Sequence, residues 1–118
     1  MSQQKPPPVE KRILDPARVR RIRDGFSWVD RRFVRDGWIE RLDRNAILLY
    51  LFLVCVADSN GLSYWSDRRT AATLRLTPDA LEVARASLLE HGLVAHEAPL
   101  YQVLALADAP PPAAGRQP

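Results

Sequence analysis

The stretch "AILLYLFLVCVA", Ala46 to Ala57, constrains this chain more than any other. Its twelve uncharged residues fall well short of the roughly 18 that a membrane span needs, so no membrane insertion is expected. A helix apolar on nearly every side must instead be covered all round. With 118 residues the chain can build one modest core in one domain with tails. Cover for the apolar helix has to come from the first helix and the N-terminal arm, or from a second copy, which makes a homodimer the favoured state. Cys55 lies inside the run and reads as a small, buried, inert residue. It is the only cysteine, which rules out an intramolecular disulfide and fits a reducing cytoplasm. The opening "MSQQKPPPVEKR" lacks the apolar region of a secretory signal.

The flanks of that helix set the rest of the order. Upstream, a first helix is expected from Ser27 to Asp36, capped by Ser27, closed by Gly37, with Val29 and Phe33 facing inward. Asp43 is a good N-cap for the apolar helix itself. "DSNG", residues 58–61, then breaks the chain with strong turn chemistry, and "LSYW" reads as a short strand. Ser66 caps a third helix, Asp67 to Leu74; Arg75, Leu76 and Thr77 make a tight turn; Thr77 caps a fourth, with Pro78 at its first position. Leu81, Ala84, Leu88 and Leu89 form the core-facing stripe of that fourth helix, and Gly92 ends it. "LVAH", "EAPL" and "YQVLAL" then read as strand, turn, strand. Three tryptophans, Trp28, Trp38 and Trp65, are expected as packing anchors.

A small strand, a helix pair joined by a tight turn and a terminal hairpin describe a mainly α fold with a β-hairpin wing: a winged helix-turn-helix. The body is expected over 26–107. Before it lies a basic, proline-containing arm, 1–25, in which Asp15 and Pro16 start a short turn ending at Gly25. After it comes a proline-rich tail, 108–118, with nothing to bury and therefore disordered.

At this level "LSYWSDRRTAATLRLTPDALEVARASLLEHGLV" also resembles the winged-helix modules of bacterial regulators and of plasmid or primosomal replication initiators. Ala71 matches their small residue at the helix crossing, Leu74 the last core leucine, and Leu76 and Thr77 the turn hydrophobe and cap. Leu81, Ala84 and Leu88 match the buried stripe, and Gly92, Leu93 and Val94 the exit to the wing. The resemblance spans about Leu42 to Val94 and implies a DNA-binding unit. Two features depart from it. Arg75 stands where the turn usually has glycine, which asks either for a left-handed conformation or for a different turn. Pro78 and Glu82 stand where arginines are often found, and Asp79 adds a further acid.

Charge points to an anionic partner of the same kind. Residues 1–24 hold seven basic groups against three acids, a net of +4, while the remaining 94 residues sum to −1. Such asymmetry suits nucleic acid rather than a membrane. The expected DNA contacts are Arg18, Arg20, Arg21 and Arg23 on the arm, and Arg68, Arg69 and Arg75 on phosphates. Thr77, Asp79, Glu82 and Arg85 would lie on the recognition helix, with His96 on the wing. Enzyme chemistry is not expected: the five glycines are scattered singly, and His91 and His96 have no cysteine or paired carboxylate at metal-ligand spacing. Neither a cofactor nor a metal is implied. The reading is a non-catalytic double-stranded DNA-binding protein of the cytoplasm, acting in transcription, replication or a mobile element. Its rival is an adaptor whose Asp79, Glu82 and Glu90 face a larger replication, recombination or partitioning protein.

Overall fold

In the computed structural model the described residues are 10–108. Lys5, the triple proline at 6–8 and the tail beyond Asp108 lie outside them. Four α-helices and a small antiparallel sheet make up the body: α1 (Arg32–Arg35), α2 (Arg44–Val56), β1 (Leu62–Tyr64), α3 (Asp67–Leu74), α4 (Pro78–Glu90), β2 (Val94–Glu97) and β3 (Leu100–Val103). The expected mixture of helices and a small hairpin is present, and β1 joins the hairpin to make three strands in the order β1-β3-β2. Tyr101 sits at the centre of the sheet, paired with Ser63 on one side and His96 on the other.

Caps explain where the three longer helices start. The Asp43 carboxylate accepts from the Ala46 amide, the Ser66 hydroxyl from Arg69, and the Thr77 hydroxyl from Ala80. Each satisfies one of the amides that a helix start leaves without a partner. Asp58 holds the turn before β1 by accepting from the amides of Asn60 and Leu62. Gly61 is required there: it has φ +82, and a Cβ would fall 2.6 Å from the Val103 carbonyl oxygen.

α2 and α4 form the most extensive helix contact. Ala46, Leu49 and Leu53 of α2, and Leu81, Ala84 and Leu88 of α4, are all buried in one core with Phe33, Trp38, Leu93 and Tyr101. Ala46 and Ala84 are fully buried, and small side chains let packed helices approach closely. Phe33 stacks on Tyr50 with ring centroids 4.7 Å apart, which fixes α1 against α2.

Several expectations are corrected here. The first helix is one turn, Arg32–Arg35, and Ser27 does not cap it. Arg31 stands at its start without a side-chain cap bond, and one residue earlier Asp30 accepts from the Arg32 amide at 2.9 Å and from the Arg32 guanidinium at 2.7 Å. With the chain extended before it, Val29 is exposed rather than inward, and Trp28 is exposed rather than an anchor. Trp38 and Trp65 do pack, the first within the core and the second edge-on to Phe52. Leu89 lies outside the α4 stripe and is exposed. Within the single chain α2 is not covered all round: Leu48, Leu51 and Cys55 repeat at i, i+3, i+7 along an exposed stripe, so Cys55 is not buried there. The arm does not wrap α2; every described residue from Glu10 to Val29 is exposed. Its turn is a single 3-10 turn, Pro16–Arg18, rather than one reaching Gly25.

Candidate functional site

The turn between α3 and α4 resolves the first departure noted in the sequence. Arg75 takes the left-handed conformation, φ 58 and ψ 43, where a residue with a Cβ is disfavoured by roughly 1–2 kcal/mol. The turn closes α3 in the manner of a Schellman cap: the Leu76 amide donates to Ala71 and the Arg75 amide to Ala72. Its side chain is exposed. Arg68 and Arg69 are exposed in the first turn of α3, and the Arg69 guanidinium lies 4.3 Å above the Trp65 ring. Among the described residues no carboxylate lies within ion-pair distance of Arg68, Arg69 or Arg75, nor of Arg18, Arg20, Arg21 or Arg23 on the exposed arm.

Arg85 has a different position. It is half-buried, with its side chain 15% exposed, and donates to the Asp67 carboxylate at 2.8 Å and to the Tyr101 hydroxyl at 2.9 Å. Burial works against its charge, but the bonds to Asp67 and Tyr101 outweigh it and raise its pKa above the ordinary arginine value. Those same bonds join α3, α4 and β3. The one basic side chain of α4 is therefore a clamp inside the fold rather than a free guanidinium. Helical position gives the signal: Arg85 follows Leu81 by four residues and precedes Leu88 by three, so it borders the buried stripe.

Thr77 is occupied as the α4 cap. Asp79 and Glu82 are exposed on the outer side of α4, together with Val83, Ala86, Leu89 and Glu90. Val83 is 63% exposed and Leu89 42%, so this face carries an apolar seam among three acids. The acids are legible from the sequence, whereas Leu89, expected in the core, is on this outer face beside Val83. His96 stands on β2 with its ring 4.2 Å from that of Tyr101. Burial, and then the neighbouring Arg85 charge, lower its pKa. The hairpin has no lysine or arginine between Val94 and Val103, and Glu97 is acidic.

A groove of about 650 Å³ runs between the root of the arm, at Phe26–Trp28, and the end of α2 with the exit of β3. Its ionisable groups include Asp30 and Arg32, which are bound to each other, and Asp58, which holds the turn. These three side chains therefore have structural partners within the fold. No three histidine, cysteine or acidic side chains among the described residues group as metal ligands, and no helix among them is long and apolar enough to cross a membrane. No family model matches the chain, and no curated protein or solved structure matches it.

Proposed function

We propose that the protein is a non-catalytic double-stranded DNA-binding module of winged helix-turn-helix type, serving transcription, replication or a mobile element. α3, the left-handed turn, α4 and the β2–β3 hairpin follow one another in the order that such a module requires. The observation that carries the reading is the set of exposed arginines without acidic partners: Arg68, Arg69 and Arg75 on α3 and its turn, and Arg18, Arg20, Arg21 and Arg23 on the arm. Guanidinium groups in such positions hold phosphates and set register, while Asp79 and Glu82 limit α4 to contacts with donors such as cytosine N4.

Binding of labelled duplex at increasing salt tests it. Neutralising the four arm arginines is expected to flatten the slope of log K against log[salt] by about 2–4, and Arg68→Ala with Arg69→Ala by about 1–2. Arg75→Gly is the most telling single change. It relieves a left-handed residue and raises stability by about 1 kcal/mol, yet removes a phosphate contact and weakens binding. Unchanged slopes in all three variants sink the reading.

A second reading rests on the outer face of α4, whose seam of Val83, Ala86 and Leu89 among Asp79, Glu82 and Glu90 suits a basic, apolar protein segment. As an adaptor, the protein would lose partner capture on Glu82→Arg with no loss of duplex binding.

A further inference from the structure

The arm encodes more helix than it forms. Asp15 caps the 3-10 turn Pro16–Arg18 by accepting from the Ala17 amide, and Pro16 stands at the first position. Gly25 has φ +84, the conformation of a residue just past a helix C-terminus. Between them, 16–24 form a nine-residue segment with a start signal and a stop signal. On a helix, Val19 and Ile22 share one side, Arg18 and Arg23 flank them, and Arg20 and Arg21 point the opposite way. Leu14 and Val19 hold the two positions of a hydrophobic staple around the Asp15 cap. In the structure these apolar side chains are all exposed, Leu14 at 84% and Ile22 at 58%. A nine-residue helix is too short to persist alone in water, so a surface has to complete it.

The outer face of α4 has the complementary pattern. Val83, Ala86 and Leu89 form its apolar seam, and Asp79, Glu82 and Glu90 surround the seam. Arg85, the only base of α4, is engaged with Asp67 and does not neutralise them. Three acids oppose the pairing of this face with another copy of itself, and equally with a phosphate backbone. A helix with apolar residues between arginines satisfies both the seam and the charge.

We propose that residues 16–24 fold into an amphipathic helix on the outer face of α4 of a second copy of this chain. Val19 and Ile22 lie on the Val83–Leu89 seam, with Arg18 and Arg23 beside its acids. The arm is joined to the body through 25–29 and Asp30, which Arg32 holds. Six residues span about 20 Å at full stretch. The inner face of α4 packs on α2, so its outer face lies beyond both helices, roughly 15 Å from the α2 axis. In the single chain the arm does not lie on its own α4, since every described residue from Glu10 to Val29 is exposed, which leaves that face to the arm of a second copy. Exchange is reciprocal, one arm in each direction, as a two-fold dimer requires. Arg20 and Arg21 stay on the far side, free for another partner. In this dimer Arg18, Arg23 and the outer face of α4 are engaged with protein, which leaves Arg20 and Arg21 of the arm and Arg68, Arg69 and Arg75 of the body for an anionic partner.

Sedimentation velocity of the full chain without DNA tests it with two surface variants. One carries Glu82→Arg and Glu90→Arg, reversing the face; the other carries Arg18→Glu and Arg23→Glu, reversing the arm. The unaltered chain is expected to dimerise, and each variant alone to dissociate at least about tenfold more readily. Mixed together, the two are expected to form a heterodimer, because each arm then meets a face of opposite charge. Hydrogen exchange of amides 19–24 is expected to slow on dimerisation and to stay fast in either variant alone. A monomeric unaltered chain overturns the proposal, with protection of 19–24 identifying its own arm as the occupant. A dimer indifferent to both variants, or no heterodimer on mixing, overturns it as well. Failure of DNA binding would instead show as unchanged salt slopes for Arg68→Ala with Arg69→Ala and for Arg75→Gly, changes on α3 and its turn that leave this interface untouched.

Discussion

α2 and α4 are both thirteen residues long, both start on a side-chain cap, and pack on each other. Both bury two leucines and one alanine, Ala46, Leu49 and Leu53 on α2 and Leu81, Ala84 and Leu88 on α4, and α2 buries Tyr50 and Val54 in addition. Their outer faces are not alike. α2 exposes Leu48, Leu51 and Cys55 with no acid among them, whereas α4 exposes Val83 and Leu89 among Asp79, Glu82 and Glu90. The inner faces answer to packing, which asks only for volume and apolar surface. The outer faces differ in charge: that of α2 opens on the exposed Arg44 and is then uncharged, whereas that of α4 carries three acids.

The largest effect expected tests the likeness of the inner faces. Leu88→Ala empties a fully buried position between the helices and is expected to cost about 2–5 kcal/mol in urea unfolding. Leu51→Ala, the same chemical change on the outer face of α2, removes a side chain that is 52% exposed and is expected to cost less than about 1 kcal/mol. Similar losses at the two sites would mean that the α2 stripe is covered in solution, and the comparison would fail.

Arg85 marks the boundary between the two faces of α4. Arg85→Met keeps much of the stem's packing and removes the bonds to Asp67 and Tyr101. Asp67 is well exposed, which screens the pair, so a loss of about 1–2 kcal/mol is expected from unfolding curves. The salt slope for duplex is expected to stay unchanged, since the guanidinium is turned into the fold. A flatter slope with unchanged stability would return Arg85 to the outer face.

These residues also show what the sequence makes legible. Caps are local, and Asp43, Ser66 and Thr77 were readable because each acts on an amide three residues ahead. The stripe Leu81, Ala84, Leu88 was readable because helical period alone aligns it. Ser27 misled because the chain is still extended there: the helix starts only at Arg32, whose amide and guanidinium both bond Asp30. Cys55 and Leu51 misled because an apolar helix states its preference for burial without saying how much surface the rest of the fold can cover. The Arg85 clamp depends on Asp67 and Tyr101, eighteen and sixteen residues away, a convergence that only the tertiary structure makes.

The smallest effect belongs to the hairpin, where His96 lies on Tyr101 at the inner edge of α4. Burial and then Arg85 hold its folded pKa below the ordinary 6.5, so the unfolded chain binds the proton more readily. The contribution is fully present above about pH 6.5 and is lost as pH falls through that value toward the folded pKa. Asp30 gives no counter-effect in this window: its bonds to Arg32 lower a carboxyl pKa, and stability from that source fades only under stronger acid. A modest fall in Tm is therefore expected between pH 7.5 and 5.5, and His96→Phe, which keeps a ring on Tyr101, is expected to remove most of it. A Tm that rises on acidification would place a carboxylate, rather than Arg85, as the dominant neighbour of that imidazole. The hairpin would then join the acidic side of the comparison with the outer face of α4.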